Sequence, residues 1–223
     1  MLQLLTISNK IMKTTQRYTP KTQLNSQRFR CAEFDAIDWK TSYAMIGCSH
    51  VFGQGNDIEN TIPSILTNIT NTNCVNLGAN GASREHTFLN SLKVLANTNV
   101  KKLIVLWTYS GRINIYSEDG FTMAERLASD KATDAVRKIM LTTQHFKLLD
   151  EQYEDILKAS YKDRIIFLDI IELELEFGGI VTGNKSADFS IGSTDYDFAP
   201  DGMHYGPIWN QKVANKIKDK LND

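Results

Sequence analysis

The chain contains little cysteine, and its cysteines are not spaced for bridging or for metal binding. Among 223 residues, cysteine occurs only at Cys31, Cys48 and Cys74. An odd number without a CxxC pair argues against a disulfide framework and against structural zinc. We therefore expect a reducing compartment. We assign the chain to the cytoplasm because the opening MLQLLTIS lacks both the charged segment and the cleavage site of a signal peptide.

An excess of basic residues and a long apolar run are also missing. Twenty-five Lys and Arg face twenty-six Asp and Glu, which gives a formal net charge of −1. Nucleic acid is therefore not an expected partner, because its binding normally requires a basic surface. No apolar run approaches the ~20 residues of a membrane-spanning helix, so no membrane partner is expected either. With 42% hydrophobic residues, the composition is that of a globular domain.

Four short, nearly continuous apolar runs predict strands that are buried on both faces. They occupy residues 43–47, 74–77, 103–107 and 165–170. Apolar residues at helical spacing follow the first two runs, and a longer periodic stretch at 132–157 predicts one helix or two. The pattern at 209–221 predicts a C-terminal helix, with Pro207 in its first turn.

This order of elements predicts an α/β fold. Right-handed crossovers place helices on both faces of a parallel sheet, so we expect a three-layer α/β/α sandwich with a mostly parallel, flavodoxin-like central sheet. Residues 1–28 are expected to form an extended or poorly ordered arm, and residues 29–223 the domain. We interpret residues 178–200, rich in Gly, Ser and Asp, as a long ordered loop. Sites in such folds form at the carboxyl ends of the strands.

A serine follows the first predicted strand directly. Ser49 stands in the segment GCSHVFGQG, whose glycines let the backbone turn sharply. This position suits a nucleophile, although a serine there is also a common helix cap. His50 comes next. Since adjacent side chains diverge on a turn, we interpret His50 as a structural or substrate-contact residue, with general base as the alternative.

An acid and a histidine precede the last predicted helix. Asp201 and His204 are three residues apart, which lets a carboxylate reach an imidazole nitrogen. Such a pair leaves the other nitrogen free to take a proton from a serine hydroxyl. A polar turn without chemistry is the alternative. Metal is not expected, because no second pair has ligand spacing. We interpret His86 and His145 as surface or packing residues.

In order, these segments resemble the sequence blocks of the SGNH, or GDSL-type, hydrolases from residue 38 onward. Gly47-Cys48-Ser49 is similar to the family's Gly-Asp-Ser, with a cysteine in place of the aspartate. The stretch from Asn76 to Gly81 is similar to the second block, in which a glycine follows an asparagine five residues later. The final Asp-x-x-His is present in full. The third block, Gly-x-Asn-Asp, is not: residues 107–112 read WTYSGR.

The resemblance implies a serine esterase that works through an acyl-enzyme and needs no cofactor. Ser49 would be the nucleophile, His204 the general base and Asp201 the carboxylate that orients it. The polar 178–200 loop favours a short acyl ester of a polar alcohol, such as a carbohydrate. An acyltransferase and a non-catalytic module that binds a glycan or acyl ligand are the alternatives. A dinucleotide site is disfavoured, because the full Gly-x-Gly-x-x-Gly is missing.

The resemblance also implies an oxyanion hole in which the third-block asparagine is replaced. The backbone N–H groups of Ser49 and Gly81 would be two of its donors. Losing a third donor costs a factor of about 10² to 10³ in rate, so another side chain must supply it or turnover is slow. The candidates are Asn80, Thr108 and Tyr109. We interpret Arg112 as a substrate contact, with a surface ion pair as the alternative.

Overall fold

The structure is a computed structural model that describes residues 24–110, 112–117, 120–124, 143–177, 197–202 and 204–222. The predictions for residues 1–23, for 132–142 and for most of the 178–200 loop lie outside these residues. The described strands are β1 Tyr43–Gly47, β2 Cys74–Gly78, β3 Lys102–Trp107, β4 Ile113–Ser117, β5 Gly120–Ala124 and β6 Ile165–Asp169. The described α-helices are α1 Ser49–Phe52, α2 Ile62–Thr70, α3 Arg84–Asn97, α4 Thr143–Tyr161, α5 Ile170–Phe177 and α6 Pro207–Asn222.

Four strands form one parallel sheet in the order β2-β1-β3-β6. Tyr43 of β1 is in register with Cys74 on one side and with Lys102 on the other. All five residues of β1 and of β2 are buried, which explains why these strands read as continuous apolar runs rather than alternating ones. The predicted parallel sheet is therefore confirmed.

Helices cover both faces of this sheet. Successive side chains of β1 point to opposite faces: Ala44 and Ile46 belong to a core shared with α3 and α4, whereas Tyr43 and Met45 belong to a core shared with α2, α5 and α6. This arrangement is the three-layer α/β/α sandwich that the sequence predicts. Among the described helices, none is both long and apolar enough to cross a membrane.

Local signals set the starts of the helices that follow the strands. The Thr61 hydroxyl accepts a hydrogen bond from the Ser64 amide at the start of α2, and the Ser83 hydroxyl does the same for His86 at the start of α3. α6 begins at Pro207, where the missing N–H costs no helical hydrogen bond. α3 and α6 thus begin directly after the loops that carry the second and last sequence blocks.

Two elements differ from the sequence prediction. For about a dozen residues after the third apolar run the sequence predicts a loop, but the structure has strand β4 there, which pairs antiparallel with β5. The dipeptide Asp119-Gly120, whose glycine begins β5, is a common hairpin signal in a sequence. The apolar run at 165–170 was predicted to be strand throughout, but β6 ends at Asp169 and Ile170 begins α5. The Asp169 carboxylate accepts a hydrogen bond from the Ile171 amide at 2.8 Å, and this bond favours helix from that point.

Candidate active site

Ser49 is the first residue of α1, at the carboxyl end of the central strand β1. Cys48, not Ser49, is the N-cap residue, and its side chain makes no capping hydrogen bond. Two glycines allow α1 to start this close to the sheet. A Cβ on Gly47 would lie 2.7 Å from Val51 Cγ2, and one on Gly78 would lie 2.1 Å from the Phe52 nitrogen. Ser49 is 8% exposed, at the edge where α/β sites form.

The Asp201 carboxylate binds His204 twice. Asp201 Oδ2 lies 2.7 Å from His204 Nδ1, and Asp201 Oδ1 accepts a hydrogen bond of 3.1 Å from the His204 backbone N–H. Gly202, at φ +67°, makes the tight turn between the two residues. With Nδ1 engaged by the carboxylate, Nε2 is the ring nitrogen that remains to accept a proton.

The α1 segment and the loop that follows it pack against this Asp–His pair. The rings of His50 and His204 meet edge to face with centroids 5.5 Å apart. A Cβ on Gly55, which has φ +79°, would lie 2.6 Å from Asp201 Cγ, so only glycine allows this approach. Asn56 Nδ2 donates a hydrogen bond of 2.9 Å to the Tyr205 carbonyl. The residues next to Ser49 and the residues around His204 therefore meet at one edge of the sheet.

His50 lies in an aromatic cluster on this edge. Its ring stacks on Tyr205 with centroids 5.4 Å apart, and Tyr205 stacks on Trp209 at 4.2 Å. Burial lowers the pKa of His50 to about 3, and the charges of His204 and Arg112 act in the same direction. A ring with so low a pKa is a poor proton acceptor near neutral pH. This argues for His50 as a packing or contact residue rather than as the base.

The second block forms the loop between β2 and α3. Asn76 Oδ1 accepts a hydrogen bond from the Gly78 amide at 3.0 Å, which fixes the end of β2. Gly81 has φ +74°, a conformation that favours glycine. Asn80 Nδ2 donates to Gln54 Oε1 at 2.6 Å, so the loop after α1 holds the Asn80 amide in place. An amide nitrogen has two hydrogens, and one is therefore still available to a ligand.

The other two candidate oxyanion donors are differently placed. Thr108 is 0% exposed, and its Oγ1 accepts a hydrogen bond from Arg112 Nη1 at 2.8 Å. The Tyr109 hydroxyl donates its only hydrogen to Glu174 Oε1. The Arg112 guanidinium lies 5.1 Å from the centre of the Tyr109 ring. Arg112, which directly precedes β4, is half-buried and makes contacts that a simple surface ion pair would not.

Glu174 was not among the predicted site residues. It lies on α5 and is 1% exposed, and its Oε1 accepts hydrogen bonds from the hydroxyls of Tyr109 and Tyr205. Burial raises the pKa of Glu174, while the tyrosine hydrogen bonds act in the opposite direction. The available signal was helical spacing, because Glu174 follows Ile170 by four residues and so shares its buried face. That signal appears only once α5 is recognised as a helix.

An ion-paired cluster joins the ends of β3 and β6. Arg84 Nη2 lies 2.5 Å from Asp169 Oδ2, and Arg84 Nε donates to the Thr108 carbonyl at 2.7 Å. Asp150 Oδ2 lies 3.4 Å from Arg84 Nε and accepts a hydrogen bond of 2.5 Å from Ser110 Oγ. Burial raises the pKa of Asp150, and its partners Ser110 and Arg84 act against this shift. The cluster fixes the backbone on which Thr108 and Tyr109 stand.

His86 and a separate groove lie outside this arrangement. His86 is 1% exposed and its Nε2 lies 3.0 Å from Asn90 Nδ2, whereas the His145 side chain is outside the described residues. Within the described ranges, no three His, Cys, Asp or Glu side chains group so as to hold a metal ion. A groove of about 380 Å³ beside β2 is lined by residues 30–32, 37, 58, 59, 63, 64, 67, 68 and 73–76. It includes none of the predicted site residues.

The comparisons with known proteins give distant structural similarity only. No family model matches the chain, and no curated protein matches it. Among solved structures, the chain is similar to a proposed lipolytic protein of the G-D-S-L family from Desulfitobacterium hafniense DCB-2. The two share 14% sequence identity with a TM-score of 0.39, over 81% of this chain and 99% of that chain. We therefore base the function on the geometry of the site itself.

Proposed function

We propose that this protein is a serine esterase of the SGNH type, with Ser49 as nucleophile, His204 as general base and Asp201 as its orienting carboxylate. One observation carries the proposal. The Asp201–His204 pair, joined at 2.7 Å, packs against the segment that begins with Ser49 at the carboxyl end of β1. A serine, a histidine with one engaged nitrogen and a buried carboxylate are the groups that acyl transfer requires.

The proposed reaction has two steps. Ser49 Oγ attacks the ester carbonyl while His204 Nε2 takes the hydroxyl proton, and Asp201 stabilises the imidazolium that forms. His204 then returns the proton to the departing alcohol, which leaves an acyl-enzyme on Ser49. Water, deprotonated by His204, attacks the acyl-enzyme, and His204 returns that proton to Ser49 Oγ as the acid leaves. An acceptor alcohol in place of water would make the same site an acyltransferase.

We assign the third oxyanion donor to Asn80. The backbone amides of Ser49 and Gly81 are the first two donors in this proposal. Of the three candidate side chains, Thr108 is fully buried and Tyr109 has committed its hydrogen to Glu174. Asn80 is half-exposed, is held by Gln54 and retains one amide hydrogen. It would therefore replace the asparagine that the third block lacks, with the same chemical group.

We propose a small ester substrate, a short acyl group on a polar alcohol such as a carbohydrate. The His50 ring meets the His204 ring, and the charge of Arg112 acts on His50; both side chains would offer polar contacts to the alcohol. The Arg112 guanidinium is already oriented by Thr108 and by the Tyr109 ring, so less side-chain entropy is lost when it binds a hydroxyl.

Hydrolysis of para-nitrophenyl acetate tests the proposal. We expect turnover by the wild-type protein and loss of nearly all of it in Ser49→Ala, because nucleophile and base act as a unit. Ser26→Ala, which changes an exposed serine of the N-terminal segment, is the matched control and should keep full activity. Wild-type turnover equal to that of Ser49→Ala would contradict the proposal and favour a binding module. Analysis of products with added alcohol distinguishes hydrolase from transferase.

A further inference from the structure

The Glu174 carboxyl is a buried acid that the proposed reaction does not use. It lies on the face of α5 that packs against the sheet, together with Ile170 and Leu173. Glu174 is only 1% exposed and is thus removed from solvent. Burying a carboxyl costs free energy unless the carboxyl makes hydrogen bonds inside the protein. A buried acid next to a proposed active site therefore needs a physical reason.

Its two hydrogen-bond donors come from two different loops of the site. Tyr109 follows β3, in the place of the third sequence block. Tyr205 directly follows His204 and donates to Glu174 Oε1 at 2.8 Å. Tyr109 donates to the same oxygen. One carboxyl oxygen thus ties the loop after β3 to the loop that carries the general base.

Tyr205 has little freedom to move independently of His204. Its ring stacks on His50 at 5.4 Å and on Trp209 at 4.2 Å, and its carbonyl accepts a hydrogen bond from the Asn56 side chain. The tyrosine is 5% exposed. A shift of the Tyr205 hydroxyl would therefore also move His204, its neighbour in the chain, and the His50 ring on which Tyr205 stacks.

We propose that Glu174 is a positioning residue, which holds His204 in its catalytic place by accepting hydrogen bonds from Tyr205 and Tyr109. The inference rests on the proposed esterase function. Glu174 acts through the tyrosines and does not touch the ester. Misplacement of a catalytic group by about 1 Å can cost about 10²-fold in rate, so loss of this support should lower kcat more than it changes KM.

The chain offers a conservative variant and a matched control for the test. Glu174→Gln keeps a carbonyl oxygen that can accept both tyrosine hydroxyls, whereas Glu174→Leu has similar volume but no acceptor. Glu172→Leu makes the same change at an exposed position of the same helix. Tyr205→Phe removes one donor and leaves the stacked ring in place.

The experiment is a double-variant cycle on kcat and KM for para-nitrophenyl acetate, with thermal unfolding as a check of the fold. We expect Glu174→Leu to lower kcat by about 10-fold or more, Glu174→Gln to restore most of it, and Glu172→Leu to match the wild type. As a single variant, Tyr205→Phe should lower kcat. Added to Glu174→Leu, it should have little further effect on kcat, because both changes break the same contact.

Two results would overturn the inference while the esterase proposal stands. They are a folded Glu174→Leu protein with kcat within about twofold of the wild type, and effects of Glu174→Leu and Tyr205→Phe that simply multiply. If Glu174→Leu does not fold, the Tyr109→Phe, Tyr205→Phe double variant takes its place, with the same expected loss of kcat. Absence of Ser49-dependent turnover in the wild type would instead refute the esterase proposal, and this inference with it.

Discussion

Replacing Asp201 by asparagine is the perturbation that most directly probes how His204 is held. The carboxylate accepts two hydrogen bonds from one residue, at 2.7 Å from the His204 ring and 3.1 Å from its backbone N–H. Asparagine has one oxygen, which can keep the backbone bond. Its amide nitrogen would then face Nδ1, so Nδ1 must become an acceptor and the ring proton must move to Nε2. Nε2 could then no longer take the proton of Ser49.

We expect Asp201→Asn to lower kcat for para-nitrophenyl acetate by about 10⁴-fold with KM nearly unchanged, since only the proton transfer is affected. Steady-state kinetics measure this. Asp197→Asn is the matched control, because Asp197 lies in the same loop and caps α6 through the Ile208 amide. Retention of more than about a tenth of kcat in Asp201→Asn would refute the assignment of Asp201 as the orienting carboxylate.

Three further predictions concern the oxyanion donor, the sheet edge and a buried histidine. Asn80→Ala should lower kcat by about 10-fold or more at constant KM in steady-state assays, and unchanged kcat would remove Asn80 from the oxyanion hole. Gly78→Ala should cost about 3 kcal/mol or more in urea unfolding, because its Cβ would lie 2.1 Å from the Phe52 nitrogen, whereas Gly202→Ala should cost only about 1–2 kcal/mol for its positive φ. Burial lowers the pKa of His86 to about 3 from 6.5, so the unfolded chain takes up a proton at this histidine at a higher pH than the folded protein does. The free energy of unfolding should therefore fall by about 1.4 kcal/mol for each pH unit below pH 6. Urea unfolding between pH 4 and 7 should show that the free energy of unfolding depends less steeply on pH in His86→Gln than in the wild type. An equally steep dependence would contradict the prediction.

Parts of the structure that depend on local pattern could be predicted from the sequence. The buried strand β1 follows from its unbroken apolar run, and α6 follows from its four-residue apolar spacing and Pro207. The contact between Asp201 and His204 spans three residues, so their spacing alone made it a reasonable expectation. The predictions went wrong where a local signal was overlooked, as with Asp119-Gly120, whose glycine begins β5.

The contacts that shape the site were not predictable in the same way. The Tyr109 hydroxyl reaches Glu174 across 65 positions of sequence, and Asn80 reaches Gln54 across 26. Neither partner has a spacing or a residue type that identifies it in advance, because such pairs are set by how helices pack on the sheet. For the same reason, the sequence could not choose among Asn80, Thr108 and Tyr109. That choice required their burial and their hydrogen-bond partners.

The central claim is that Ser49 is an activated nucleophile, and covalent labelling tests it most directly. The protein is treated with a serine-directed fluorophosphonate, digested, and analysed by mass spectrometry to locate the modified residue. We expect a single adduct on Ser49, formed much more slowly in His204→Gln because the base that removes the hydroxyl proton is missing. No adduct on Ser49, or labelling of Ser49 that proceeds equally fast without His204, would contradict the claim.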